Sequence, residues 1–266
     1  MMRIFLLLVV LVLISSFPFL SNWYSGKRLD GIDESYLSAM IDEYVKKNPK
    51  KILDSLMDYQ VLQFEEQQKQ KEASFEEAIL KNKKSLINFA YPSFLNKDGG
   101  INVIEFFDVA CGYCKIASGK IASVMEEVKD VNYIFRNLPV LGESSFLAAE
   151  YDNGFYLFLS ENNTENKEEL YKSFYLSLVS YDGKYTEESI TSIMQNLGVD
   201  VAKFKEYFVS NRQKITEMVH ETIDLAKDLG IKGVPVVIVE NKILHSVSEE
   251  SIKEAIENAK KDSKKS

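Results

Sequence analysis

The sequence has very few of the residues that build disulfide frameworks or zinc sites. Its 266 residues include two cysteines, Cys111 and Cys114, and two histidines, His220 and His245. A disulfide between such close cysteines closes too small a loop to stabilise a fold, and small secreted domains that depend on disulfides carry several. The histidines are far apart and no second cysteine pair is present, which argues against a zinc site. The cysteine pair therefore needs another explanation.

Positive charge, glycine and proline are also scarce. Lysine and arginine number 32 against 40 aspartates and glutamates, which gives a net charge of −8. Proteins that bind nucleic acid usually carry a basic face, so we expect no nucleic-acid partner. Twelve glycines and five prolines favour an ordered, helix-rich chain with short connections.

The first 22 residues contain an unbroken apolar run. Arg3 precedes this run, which covers Ile4–Leu13 and continues with few interruptions to Leu20. The pattern predicts a signal peptide at residues 1–22. A retained membrane anchor is the alternative, because about 17 residues is near the lower limit for crossing a bilayer. In either case we expect the rest of the chain to be exported to the periplasm or cell envelope.

Residues 33–95 are predicted to form an N-terminal helical region. Apolar residues recur at helical spacing over Glu34–Lys47, and Asn48 followed by Pro49 predicts the start of a new helix with Leu53 and Leu56 facing inward. The stretch Glu65–Glu72 has no apolar residue at all. A helix through it has no face to bury against its own chain, so it is either a solvated strut or part of an assembly.

Residues 98–266 alternate between strand and helix patterns. Apolar runs typical of buried strands occur at Ile101–Phe107, Val131–Phe135 and Ile231–Val239, and a partner strand is predicted at Ile243–Val247. Helical periodicity predicts one helix directly after the cysteines and three to five helices in residues 142–229. It also predicts a last helix over Glu249–Lys261. The order predicts an α/β domain with a helical insertion at about 142–229.

The motif Cys111-Gly112-Tyr113-Cys114 lies where the first of these strands gives way to a helix. Unpaired backbone N–H groups and the positive end of the helix dipole meet there, and both favour thiolate over thiol. We therefore expect Cys111 to be a partly exposed nucleophile and Cys114 to be the inward-facing resolving thiol. We expect Gly112 and Tyr113 to influence the reduction potential of the cysteine pair. An inert structural bridge is the alternative.

Pro235 opens a predicted strand, where the absence of a backbone N–H is tolerated. Downstream of a CxxC motif we expect a cis bond between Val234 and Pro235. Such a bond frees the backbone of Val234 to pair with an incoming substrate strand. An ordinary trans proline at the start of the strand is the alternative.

Glu105 is a lone carboxylate in an otherwise apolar strand. Burial there is costly and raises its pKa, so Glu105 is a candidate to take and return protons for Cys114. The alternative is a glutamate whose side chain escapes at the edge of the sheet.

Three features together resemble the DsbA family of periplasmic thiol-disulfide oxidoreductases. They are the residues Phe106-Phe107-Asp108 before CGYC, the helical insertion, and the motif Gly-Val-Pro before a hairpin and a helix. The resemblance covers about Ile101–Ala259. It implies a thioredoxin-like fold and exchange on exported proteins that contain cysteines, without metal or organic cofactor. It assigns Cys111 as nucleophile, Cys114 as resolving cysteine, Val234 and Pro235 as the substrate-binding loop, and Glu105 as the buried acid. A membrane redox partner, DsbB-like or DsbD-like, is implied as well.

The N-terminal region looks like the helical extension of the ScsC suppressor-of-copper-sensitivity subgroup. The similarity lies in Tyr44–Pro49 and the leucines that follow. In that subgroup such extensions can mediate homotrimers, which favour isomerisation of wrong disulfides over the donation of new ones. Many members have threonine before the proline, whereas Val234 matches the archetypal oxidase, so oxidase and isomerase both stay open. A chaperone or binding module and a copper-handling thiol protein are alternatives of other classes.

Overall fold

The computed structural model describes residues 33–96, 100–162 and 164–264, which form nine helices and five strands. The helices are α1 (Glu34–Lys47), α2 (Pro49–Leu86), α3 (Gly112–Glu127), α4 (Glu143–Glu161), α5 (Lys167–Ser180), α6 (Glu187–Asn196), α7 (Val201–Ser210), α8 (Arg212–Asp228) and α9 (Glu249–Ser263). The strands are β1 (Ser93–Phe94), β2 (Ile101–Phe107), β3 (Val131–Asn137), β4 (Val236–Val239) and β5 (Lys242–Ile243). The predicted signal peptide or anchor at residues 1–22 lies outside the described residues.

Helices α1 and α2 begin where the sequence predicts. Asp33 caps α1 by accepting a hydrogen bond from the backbone N–H of Ser35 at 3.3 Å, and Pro49 opens α2 directly after Asn48. The leucines Leu53 and Leu56, which were expected to face inward, are exposed in this single chain. None of the described helices combines the length and the apolar character needed to cross a lipid bilayer.

Backbone contacts divide the chain into two compact units after Glu66. The second unit begins at Gln67, and the end of α2 contributes Ile79 and Leu86 to its core. Its five strands form one sheet in the order β1-β3-β2-β4-β5. Strands β2 and β3 are parallel, and the other pairs are antiparallel.

The central strand β2 is buried on both faces, as its apolar run predicts. Successive side chains point to opposite faces of a sheet. Val103 and Phe107 join the larger core cluster with helices α3 to α9, whereas Ile104 and Phe106 join a smaller cluster with α2 and the end of α8. Glu105 therefore faces the larger cluster, together with Val103 and Phe107.

The predicted helical insertion is present between β3 and β4 and consists of the five helices α4 to α8. Its first helix, α4, is buried on nearly all sides, since every residue of Ala148–Leu159 is buried. The predicted α/β class, the insertion and the N-terminal helical extension are thus confirmed.

Three strands differ from their predicted bounds, and the short strand β1 was not predicted. Strand β3 continues to Asn137 and does not end at Phe135. Strand β4 begins at Val236 and not at Ile231; Pro235, directly before it, has no N–H for the ladder. Strand β5 is Lys242–Ile243 and not Ile243–Val247, and α9 follows with Ser248 as its N-cap, which accepts a hydrogen bond from the backbone N–H of Ser251 at 3.1 Å.

Candidate active site

Cys111 is the N-cap residue of α3, at the end of β2. Its backbone is extended and its side chain is partly exposed. The first N–H groups of a helix have no intrahelical acceptors, and the helix dipole places partial positive charge at the same end. Cys111 therefore lies at the strand–helix junction where the sequence places it.

Cys114 lies one turn further along α3 and is completely buried. Its sulfur accepts a hydrogen bond from the backbone N–H of Asp108 at 3.5 Å. Burial above all raises the pKa of Cys114 well above its usual range, and Cys111 and Glu105 act in the same direction. Both cysteines are free thiols in this structure, and their environments differ sharply.

Asp108 holds the turn that carries Cys111. One carboxylate oxygen accepts a hydrogen bond from the N–H of Ala110 at 2.9 Å, and the other accepts from the N–H groups of Val140 and Leu141 at 2.8 and 3.0 Å. The carbonyl of Asp108 also accepts from the N–H of Cys111 at 2.9 Å. One buried carboxylate thus fixes the turn before the cysteines to the loop that follows β3.

Val234 and Pro235 lie opposite Cys111. The Sγ atom of Cys111 is 3.8 Å from the carbonyl oxygen of Val234, and the Val234–Pro235 peptide bond is cis, as expected. Both residues are half-buried. The backbone that precedes β4 is thereby placed beside the exposed sulfur.

Gly112 and Tyr113 lie on the open side of the pair. A Cβ atom added to Gly112 would meet nothing within 4 Å, and Tyr113 is 79 % exposed. Ile116, also on α3, is exposed as well. The surface next to Cys111 is therefore accessible and partly apolar.

Glu105 does not escape at a sheet edge but is buried in the central strand, with 1 % of its surface exposed. Its two oxygens accept hydrogen bonds from the hydroxyl of Tyr175 at 2.6 Å and from the hydroxyl of Ser118 at 2.9 Å. Burial raises its pKa to about 7; the charge of Asp152 adds to this rise, while the two hydrogen bonds oppose it. Ser118 lies one helical turn after Cys114, on the same buried face of α3. Glu105 is thus held close to the thiol of Cys114.

The residues expected from the sequence therefore lie together at the end of β2. Sequence reasoning missed three others: Asp108 as the residue that holds the turn, and Tyr175 and Ser118 as the partners of Glu105. The position of Asp108 inside the motif was visible in the sequence. The hydroxyl partners were not, because Tyr175 is 70 residues away from Glu105 in the chain.

The fold, the buried acid and the pair of unequal thiols at a strand–helix junction define a thioredoxin-like redox domain. The chain belongs to the family of the DSBA-like thioredoxin domain, whose model matches residues 102–257. This membership places the protein among thiol-disulfide oxidoreductases at the level of the family, as the sequence motifs predicted. No curated protein sequence matches it significantly.

Solved structures agree with this assignment. The thiol-disulfide exchange protein alpha-DsbA2 of Wolbachia pipientis is 26 % identical, with a TM-score of 0.64 over 70 % of this chain and 96 % of that one. The catalytic domain of Proteus mirabilis ScsC is 21 % identical, with a TM-score of 0.58 over 69 % and 97 % of the two chains. Salmonella enterica Typhimurium BcfH is 18 % identical, with a TM-score of 0.66 over 85 % and 95 %. The predicted likeness to DsbA and ScsC proteins is confirmed.

Proposed function

We propose that this protein catalyses thiol-disulfide exchange on exported proteins that contain cysteines, with Cys111 as the attacking thiol and Cys114 as the resolving thiol. The observation that carries the proposal is the difference between the two sulfurs. Cys111 is partly exposed at a helix N-terminus, whereas Cys114 is buried next to a carboxyl group. An inert bridge would need neither the exposure nor the buried acid.

In the oxidising direction, the enzyme begins with a Cys111–Cys114 disulfide. A substrate thiolate attacks the sulfur of Cys111, a mixed disulfide forms, and Cys114 leaves as a thiolate. A second substrate thiolate then attacks the substrate sulfur of the mixed disulfide, and Cys111 leaves as a thiolate. The substrate gains a disulfide, and the enzyme keeps the two electrons as a pair of reduced cysteines.

Glu105 supplies the proton that the first step requires. The Cys114 thiolate is disfavoured in its buried position, because burial raises its pKa. A carboxyl group with a pKa of about 7 is partly protonated near neutral pH and can give its proton to Cys114. In the reducing direction Glu105 takes the same proton back, and the Cys114 thiolate resolves the mixed disulfide.

Val234 and Pro235 form the proposed substrate-binding loop, with Gly112 and Tyr113 on the other side of Cys111. The carbonyl of Val234 is 3.8 Å from the attacking sulfur, so a substrate strand that pairs with this backbone lies within reach of Cys111. The exposed ring of Tyr113 offers apolar contact beside it.

The N-terminal region is proposed to assemble the chain into a homotrimer. Its support is a series of apolar side chains that residues 33–66 leave exposed, among them Leu37, Ile41, Leu53, Leu56 and Met57. Exposed apolar surface of this extent marks an interaction site. Several redox sites in one assembly favour isomerisation of disulfides, and we propose isomerase activity in addition to oxidation. We place the protein in the periplasm or anchored at the inner membrane, with a DsbB-like or DsbD-like partner that resets its redox state.

Two matched substitutions test the proposed roles of the cysteines. With a reduced and with a scrambled multi-disulfide protein as substrates, Cys111→Ser should abolish both oxidation and repair. Cys114→Ser should instead accumulate a mixed disulfide that mass spectrometry detects, because Cys111 can attack but nothing resolves the product. A binding module with bridged cysteines would keep its activity in Cys111→Ser, and that result would overturn the proposal.

A further inference from the structure

A second buried carboxylate, Asp152, lies near Glu105 but takes no part in the exchange steps. Asp152 is on α4 and is completely buried. It accepts hydrogen bonds from the hydroxyl of Tyr171 at 2.7 Å and from the side-chain amide of Asn137 on β3 at 3.2 Å. Within the described part of the chain, no lysine, arginine or histidine donates a hydrogen bond or forms an ion pair with Asp152 or Glu105.

The two carboxylates are held by neighbouring hydroxyls of one helix. Tyr171 and Tyr175 are four residues apart on α5, so their side chains lie on the same face about one turn apart. Tyr171 donates to Asp152, and Tyr175 donates to Glu105. The insertion therefore brings its own buried acid next to the acid of the central strand.

The surroundings of these groups are aromatic. The ring of Tyr175 packs against Phe135 at a centroid distance of 4.6 Å and against Phe107 at 5.3 Å, and the ring of Tyr171 packs against Tyr156 at 5.2 Å. Charges interact more strongly in such an environment than in water, because little solvent is present to screen them.

We propose that Asp152 is a positioning residue for proton transfer at Cys114, because its charge, held by Tyr171 beside Tyr175, favours the protonated form of Glu105. This inference rests on the proposed role of Glu105. Two buried carboxylates that are close enough to influence each other, with no cation between them, do not readily ionise together. When Asp152 carries the negative charge, Glu105 keeps its proton and has it ready for the thiolate of Cys114.

The titration of the two acids agrees with this arrangement. Burial raises the pKa of Asp152 to about 6, and its hydrogen bonds from Tyr171 and Asn137 limit that rise. Asp152 is therefore the acid of the pair that ionises first, and its charge contributes to the higher pKa of Glu105. The groups that face Glu105 are Ser118 and Cys114 from α3, Tyr175 from α5, and Asp152 from α4.

The test compares pH profiles of exchange in the full chain with Asp152→Asn. This substitution keeps the shape and one of the two acceptor oxygens but removes the charge. We expect the pH midpoint of the Glu105-dependent step to fall by about 0.5 to 1 unit, since one like charge is lost. The matched control is Glu150→Gln, which removes a buried carboxylate from the same helix. Glu150 faces Thr216 and Arg212, so its removal should not move the midpoint.

A double substitution separates action through Glu105 from a general structural effect. Glu105→Gln should eliminate the pH midpoint that Glu105 causes, so adding Asp152→Asn to this variant should not change the pH profile of exchange any further. A pH profile that still changes in the double variant, or an unchanged midpoint in Asp152→Asn alone, would overturn the inference. Tyr171→Phe is a second route if Asp152→Asn does not fold. Loss of its hydroxyl makes Asp152 harder to ionise, so the midpoint should fall in this variant also.

Carbon-13 NMR of the glutamate carboxyl groups measures the coupling without turnover. The signal of Glu105, assigned by its absence in Glu105→Gln, should titrate at a lower pH in Asp152→Asn than in the wild type. A wild-type protein that performs no exchange would contradict the proposed function, and the NMR titration would still decide whether Asp152 acts on Glu105. Equal Glu105 titration curves in the two proteins would refute the inference even if exchange is active.

Discussion

The hydroxyl of Tyr175 donates a hydrogen bond of 2.6 Å to Glu105, and this contact joins the helical insertion to the central strand of the sheet. Ser118 on α3 donates to the other oxygen of the same carboxylate. The acid next to Cys114 is therefore held by two elements, one of which belongs to the insertion. The insertion therefore helps to hold the acid beside the thiol pair and also contributes to the core.

Removal of this hydroxyl should shift the pH dependence of exchange upward. The hydrogen bond from Tyr175 favours the ionised form of Glu105 and lowers its pKa. In Tyr175→Phe the pKa of Glu105 should rise from about 7 by about 1 unit, and the midpoint of the Glu105-dependent step should rise with it. The measurement is the exchange rate between pH 5 and about 9.

Tyr133→Phe is the matched control for this change. Tyr133 is also a buried tyrosine, but its hydroxyl donates to the carbonyl of Val128 at 3.0 Å and does not reach Glu105. Its replacement should leave the midpoint in place. A midpoint that falls in Tyr175→Phe would show that the hydroxyl does not stabilise the ionised carboxylate.

The free energy of unfolding should depend on pH through the ionisation of Glu105. Its pKa rises from 4.5 to about 7 on folding, so between these pH values the folded state binds more protons than the unfolded state. The free energy of unfolding should therefore decrease as the pH rises from 4.5 to 7, by about 3 kcal/mol from this group. Denaturant unfolding at several pH values measures this decrease.

Glu105→Gln isolates that contribution, because an amide has nearly the shape of the carboxyl group but does not ionise; its single oxygen can still accept one of the two hydrogen bonds. Relative to the wild type, the variant should gain stability as the pH rises from 4.5 to about 7. Other carboxylates contribute equally to both proteins, so only the difference between the two curves matters. Parallel curves would mean that Glu105 is ionised at little cost, contrary to its burial.

Local sequence patterns were sufficient to predict the elements that carry the thiols. The apolar run Ile101–Phe107 coincides with β2, and the CxxC motif lies at the start of the helix that follows. These features depend on neighbouring residues, so periodicity and capping rules apply to them directly. The unusual position of Glu105 was visible for the same reason, since a carboxylate stood alone in an apolar strand.

The partners of Glu105 could not be predicted in the same way. Tyr175 and Asp152 come from the helical insertion and are far from Glu105 in the sequence, so no local pattern links them to it. Helix α4 is buried on nearly all sides, so its polar residues do not mark an exposed face. The role of Asp108 was missed because its hydrogen bonds run to the loop after β3, about 30 residues away.

Asp108 should be a large contributor to stability. Its carboxylate accepts hydrogen bonds from the backbone N–H groups of Ala110, Val140 and Leu141. In Asp108→Ala these three donors lose their acceptor, so the free energy of unfolding should fall by at least about 2 kcal/mol. Asp108→Asn keeps one acceptor oxygen and should lie between Asp108→Ala and the wild type. Denaturant unfolding at constant pH measures both differences.

Asp182→Asn is the control for the loss of an aspartate near the site. The side chain of Asp182 is 93 % exposed and pairs with Lys115 at 2.6 Å. Exposed ion pairs contribute little to stability because water screens them, so this variant should stay close to the wild type. Equal losses in Asp182→Asn and Asp108→Ala would mean that the backbone amides find other acceptors.

The exposed apolar residues of α2 should mediate self-association. Leu53, Leu56 and Met57 lie at helical spacing on one side of α2, and all three are exposed in the single chain. A charge placed among them should weaken an assembly, because its burial in an apolar contact is costly. Leu56→Glu should therefore convert a homotrimer towards monomer, which sedimentation velocity detects. Repair of scrambled disulfides should fall more than oxidation of reduced substrate, since we propose that the assembly favours repair.

Ser55→Glu provides the matched control, because it adds the same charge to the exposed position next to Leu56. Ser55 lies about 100° around the helix from Leu56 and far from the side that carries Leu53 and Met57, so its substitution should preserve the assembly. A monomeric wild-type protein would contradict the proposed assembly directly. If Leu56→Glu and Ser55→Glu dissociate the protein equally, charge and not the apolar side of α2 governs association. If Leu56→Glu is monomeric but repairs disulfides as well as the wild type, assembly has no role in isomerisation.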